Sequence, residues 1–105
     1  MIKPIDSLRT DELLTLGSRF AVFFYTPLCG TCKLARRMLE IVDETLPELV
    51  IYSVDANFAS SVLQQWQVKS VPALAYIVDG ELESLQFAFG GVDELYDRLG
   101  CFFKH

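Results

Sequence analysis

Phe20-Ala21-Val22-Phe23-Phe24-Tyr25-Thr26-Pro27-Leu28-Cys29-Gly30-Thr31-Cys32-Lys33 is the stretch from which the rest of the chain can be read. Phe20 to Tyr25 is apolar throughout, as expected of a strand covered by helices on both faces. A short break follows, then two cysteines separated by two residues, then a helical pattern. A disulfide closes readily across such a turn. The first thiol falls at a helix N-terminus, where unsatisfied backbone N–H groups and the helix dipole favour an anion. That anion is the thiolate, the form that attacks a disulfide. Cys29 therefore reads as a nucleophile and Cys32, one turn into the helix and more buried, as the thiol that resolves the mixed disulfide. Zinc sites share this spacing, so the pair alone leaves a metal reading open.

The helix after the pair runs from Gly30 to about Leu46 and stops at Pro47. Leu34, Ala35, Met38, Leu39, Ile41, Val42 and Leu46 make a wide apolar stripe. Leu49 to Val54 is a second apolar strand, parallel to the first. Ahead of these, Met1 to Ile5 is a short edge strand limited by Pro4. A first helix starts from a Ser7 or Thr10 cap, carries Leu8, Leu13, Leu14 and Leu16 on its apolar face, and stops at Gly17. Asp55 or Asn57 caps a third helix reaching Trp66. Ala73 to Val78 and Leu82 to Phe89 are strands joined by Asp79-Gly80, a strong hairpin signal. Val92 to about Phe103 is the last helix, with Val92, Leu95, Tyr96 and Leu99 toward the sheet. The order β-α-β-α-β-α-β-β-α implies an α/β fold, a central mixed β-sheet with helices on both faces.

A chain of 105 residues, 51% hydrophobic and 22% charged, allows one domain spanning 1–105 and one modest core. The formal net charge of −5 argues against nucleic acid or an anionic membrane as the main partner. No apolar stretch approaches the length of a membrane span. The N-terminus carries no apolar signal core, which makes the cytoplasm the default location. Three cysteines are too few for a disulfide scaffold. The third, Cys101, reads as a small core residue on the last helix. Together with His105 it would complete a Cys3His zinc set, the lesser reading.

The strand, Cys29-Gly30-Thr31-Cys32, the helix after it and Ser70-Val71-Pro72 together resemble the thioredoxin family, over nearly the whole chain. The resemblance implies the thioredoxin fold and a thiol–disulfide oxidoreductase that reduces protein or small-molecule disulfides by dithiol exchange through Cys29 and Cys32. It implies no bound cofactor and no metal. Partners would be disulfide-containing proteins, with a thioredoxin-reductase-type flavoenzyme or a low-molecular-weight thiol as reductant. It further implies that Pro72 follows a cis bond and faces the cysteine pair, and that Val71 offers backbone groups to an extended substrate. Gly30 lets a substrate approach closely, and Leu28, with Pro27, makes an apolar rim around Cys29. The rival expectation is a binding module that uses Leu28, Val71 and Pro72 without turnover.

The chain also departs from the family pattern. Thr31 stands where a proline is most typical, which leaves the redox poise open. Leu28 and Tyr25 replace two common tryptophans. No proline stands near Arg37, which implies a straighter helix. Lys33, Arg36 and Arg37 crowd the helix start, with Glu40, Asp43 and Glu44 after them, the wrong order for the dipole. They read as a solvated face, or as cations that favour the Cys29 thiolate. The family's buried aspartate and its nearby lysine fall at Phe23 and Ile51, both apolar here. Without that carboxylate, Cys32 lacks a local base, and slower resolution of the mixed disulfide is expected.

Overall fold

Residues 1–104 are described by a computed structural model. Five strands form one sheet: β1 (Lys3–Pro4), β2 (Arg19–Tyr25), β3 (Ile51–Asp55), β4 (Ala73–Val78) and β5 (Glu81–Gln86). Their spatial order is β1-β3-β2-β4-β5. β3 runs parallel to both β1 and β2, while β4 is antiparallel to β2 and β5. The helices are α1 (Gly30–Thr45), α2 (Ser60–Gln65) and α3 (Val92–Phe103).

β2 lies at the centre, and the two-residue period of a strand sends its side chains alternately to two cores. Ala21 and Phe23 join Ile51, Leu74 and Tyr76 under α1 and α3, packed by Leu39, Val42, Leu95 and Leu99. Phe20, Val22 and Phe24 join Val54, Ala75 and Ile77 on the other face, covered by Leu8, Leu13, Val62 and Trp66. This two-sided burial is why β2 has no polar alternation. The hairpin at Asp79-Gly80 is a two-residue turn with both φ angles positive, 51° and 81°. Gly80 is the natural occupant there, and an added Cβ would also meet Leu14 Cδ2 at 2.9 Å.

Several sequence expectations need correction. The first helix is a 3-10 helix over Thr10–Leu16, preceded by Arg9 rather than capped by Ser7 or Thr10. With three residues per turn its apolar face differs from the α-helical reading, and Leu14 is exposed while Leu13 is buried. The third helix is broken in two: Asp55 caps a short 3-10 turn over Ala56–Phe58, accepting from the Asn57 amide at 2.9 Å, before α2 begins. The third and fifth strands of the sequence reading have different bounds: β3 covers Ile51–Asp55 rather than Leu49–Val54, and β5 covers Glu81–Gln86 rather than Leu82–Phe89. The apolar stripe of α1 is narrower than expected, because Leu34 and Ile41 face solvent. On α3 the buried positions are Leu95, Leu99, Gly100 and Phe102, and Tyr96 is 39% exposed.

Candidate active site

β2 ends at Tyr25, and the turn Thr26–Leu28 delivers Cys29 to the N-cap of α1. Cys29 has extended backbone (φ −89°, ψ 109°), and its sulfur accepts from the Cys32 amide at 3.1 Å. An N-cap side chain normally takes this bond with an oxygen. Here the Cys29 sulfur fills that role for the Cys32 N–H, while the Lys33 N–H bonds the Cys29 carbonyl. The Thr31 hydroxyl adds a second contact at 3.3 Å. Cys29 and Cys32 form a disulfide, with Cα atoms 5.2 Å apart. Cys29 is half-buried, whereas Cys32 is 3% exposed and belongs to the core under α1.

The remaining sequence candidates surround this pair unequally. The Val71–Pro72 bond is cis. Pro72 and Thr31 line one groove of about 370 Å³ with Leu34, Met38, Phe87 and Phe89. Val71 packs half-buried against the same core as Cys29. Leu28 is 97% exposed and covers nothing. A Cβ built on Gly30 would meet no atom within 4 Å, so the surface beside the cysteines is open. No fold constraint explains a glycine there.

On the other flank of α1 a smaller pocket of about 160 Å³ reaches Cys32. Phe23, Tyr25, Pro27, Lys33 and Arg36 line it. The Phe23 and Tyr25 rings are stacked, with centroids 6.0 Å apart. The Arg36 guanidinium lies over both, 5.8 Å from the first and 5.3 Å from the second. Phe23 and Ile51, at the positions of the family's charged pair, are fully buried. The sequence reading gave Arg36 as part of a solvated face or as a cation favouring Cys29; the structure places it in the pocket that reaches Cys32, four residues along the same helix. Leu34 was misplaced in the buried stripe; it is 61% exposed and lines the groove beside Pro72.

Cys101 is exposed, not a core residue. The buried ridge of α3 passes through positions 95, 99 and 102, leaving 101 on the outer side. It sits near Arg19, at the start of β2, whereas the cysteine pair follows the end of that strand. The zinc reading needs His105, which lies outside the described residues. Among the described residues no group of three or more His, Cys, Asp or Glu side chains could hold a metal ion. Among the described residues no helix is long and apolar enough to cross a membrane.

Comparisons with known proteins agree with this geometry. The thioredoxin family model matches residues 10–97. A thioredoxin-like protein of Bacillus subtilis, YusE, is 35% identical over 80 residues, 76% of each chain. A thioredoxin of Mycoplasmoides gallisepticum is 26% identical over 89 residues, 85% of this chain and 89% of the other. Among solved structures, a thioredoxin of Malassezia sympodialis superposes with a TM-score of 0.80 at 18% identity, covering 97% of this chain and 90% of that one. With its two-cysteine helix start, its cis-proline loop and these matches, the chain belongs to the thioredoxin family.

Proposed function

We propose that this protein is a thiol–disulfide oxidoreductase that reduces disulfides of proteins or small molecules. The observation that carries this reading is the half-buried Cys29 at the N-cap of α1, in disulfide contact with the buried Cys32. In the reduced protein the Cys29 thiolate attacks one sulfur of a substrate disulfide. The substrate's other sulfur leaves as a thiolate and takes a proton from water. Cys32 then loses its proton to solvent and attacks Cys29. The Cys29–Cys32 bond forms, the bond from Cys29 to the substrate breaks, and the substrate has gained two electrons. The N–H groups of the first helical turn stabilise the attacking anion, an effect of about 0.3–1 kcal/mol at an exposed helix end.

The groove beside Pro72 suits an extended peptide on either side of the reacting disulfide. Its main chain would pair with the Val71 backbone, and its side chains would meet Leu28, Gly30 and Thr31. Oxidised protein returns to the dithiol through a thioredoxin-reductase-type flavoenzyme or a low-molecular-weight thiol, in the reducing conditions of the cytoplasm. Catalysed reduction of insulin by dithiothreitol tests the proposal. Wild-type protein should accelerate it, Cys29→Ser should abolish the acceleration, and Cys32→Ser should accumulate protein linked through Cys29 to an insulin chain. No acceleration by the wild type, or trapping through Cys101 instead, would overturn it.

A further inference from the structure

We infer that Arg36 is a positioning residue for the second step, stabilising the Cys32 thiolate in place of a carboxylate base. The inference rests on the dithiol mechanism proposed above. Cys32 and Arg36 are separated by four residues on α1 and so lie on one face. Helical side chains lean toward the N-terminus, which carries the Arg36 guanidinium back over the turn that holds Cys32. It lies over the Phe23 and Tyr25 rings, 5.8 and 5.3 Å from their centroids, and Phe23 belongs to the same core cluster as Cys32. It shares the lining of the small pocket with Cys32.

The charge is available. Among the described residues Arg36 makes no ion pair, although it lines a second pocket with Glu40, Glu44 and Asp43, the last buried and paired with the N-terminal amine. Among the described residues no carboxylate lines the Cys32 pocket. Of the titratable and charged groups around Cys32, α1 contributes Lys33 and Arg36, and β2 contributes Tyr25. Asp55, in register with Tyr25 at the end of β3, is engaged by Asn57. On α3, Glu94 is directed toward Gly90, which lines the groove on the other flank. The apolar floor of Phe23 lowers the local dielectric and strengthens the attraction between a guanidinium and a thiolate. A carboxylate base takes the proton from the thiol; a cation holds the thiolate after the proton has gone to water. An arginine never titrates in this range, so its help persists at low pH.

Single turnover of the reduced protein with a limiting amount of 4,4′-dithiodipyridine, a neutral disulfide, tests this in a Cys101→Ser background. The first thiopyridone released reports attack by Cys29, and the second reports attack by Cys32. An opposite charge within about 4–6 Å shifts a titration by roughly one unit or more. Arg36→Gln should therefore raise the pH midpoint of the second phase by about one unit and slow that phase roughly threefold below the midpoint, the lost thiolate being partly offset by its greater nucleophilicity. Arg36→Lys should restore most of the loss. If Arg36→Gln does not fold, Arg36→Met, which keeps an apolar stem over the rings, carries the same expectation. A folded variant with the wild-type midpoint, or a lysine variant as impaired as the glutamine one, overturns the role of Arg36. Absence of any second release in the wild type overturns the dithiol mechanism itself.

Discussion

Replacing Phe23 with aspartate restores the family's usual carboxylate to a site built for a ring. Phe23 has no exposed surface, stacks on Tyr25 and meets Phe89 edge-on at 6.1 Å. Truncating a buried phenylalanine costs about 3–5 kcal/mol. Phe23→Asn should show that loss without a charge, and Phe23→Asp adds a carboxylate in the middle of β2. Two effects then compete. Burial disfavours the ionised form, and the Arg36 guanidinium, 5.8 Å from the present ring centre, favours it. Burial should win, because the side chain of aspartate is short and the Phe23 position is fully buried, whereas Arg36 is only half-buried. The carboxylate's folded-state pKa should rise by roughly two units above its unfolded value. Between those two values the folded state holds the extra proton, so stability falls as pH rises. Urea unfolding of the oxidised variants, followed by circular dichroism from pH 4 to pH 8, measures the difference. Phe23→Asp should match Phe23→Asn near pH 4 and become less stable by about 2.7 kcal/mol near pH 7. That is a large share of the roughly 5–15 kcal/mol available to a domain of this size. An aspartate variant as stable as the asparagine variant at pH 7 would refute the reasoning and show that Arg36 neutralises the site.

Two further outcomes are expected. The buried Tyr76 hydroxyl donates to Gln86 Oε1 at 2.6 Å, and burial pushes Tyr76 up to about 12, with Arg98 opposing. Its folded pKa lies above the ordinary value, so its contribution is complete below about pH 10 and fades toward pH 12, by about 2.7 kcal/mol. Tyr76→Phe should cost about 1–3 kcal/mol at pH 7 by leaving Gln86 without its donor. In urea titrations the gap to wild type should close between pH 10 and 12; a constant gap contradicts the assignment. Cys101→Ser, on the exposed side of α3, should change stability by no more than about 0.5 kcal/mol and leave insulin reduction unchanged, and a loss of turnover would tie Cys101 to the reaction.

Local chemistry made much of this protein legible from its residues. The uninterrupted apolar run of β2 signals a strand buried on both faces, and Asp79-Gly80 signals its turn, because both depend on backbone and side chains close in sequence. Cys29 and Cys32 were placed for the same reason: their spacing and the helix after them define one local unit. Short helices were read less well. The Thr10–Leu16 segment has weak periodicity, and its 3-10 geometry and buried Leu13 follow from packing against the sheet. Leu34, Tyr96 and Cys101 were each assigned by apolar character, yet their exposure depends on where α1 and α3 meet the sheet and each other. The same holds at the site. Residue order alone brought the two thiols together, whereas the groove of Pro72, Thr31 and Leu34 joins segments some forty residues apart. The guanidinium over Phe23 likewise needs β2 and α1 docked at their observed separation. Spacing along a chain specifies neighbours within one helix or turn, but contacts between elements are settled only when the hydrophobic faces pack.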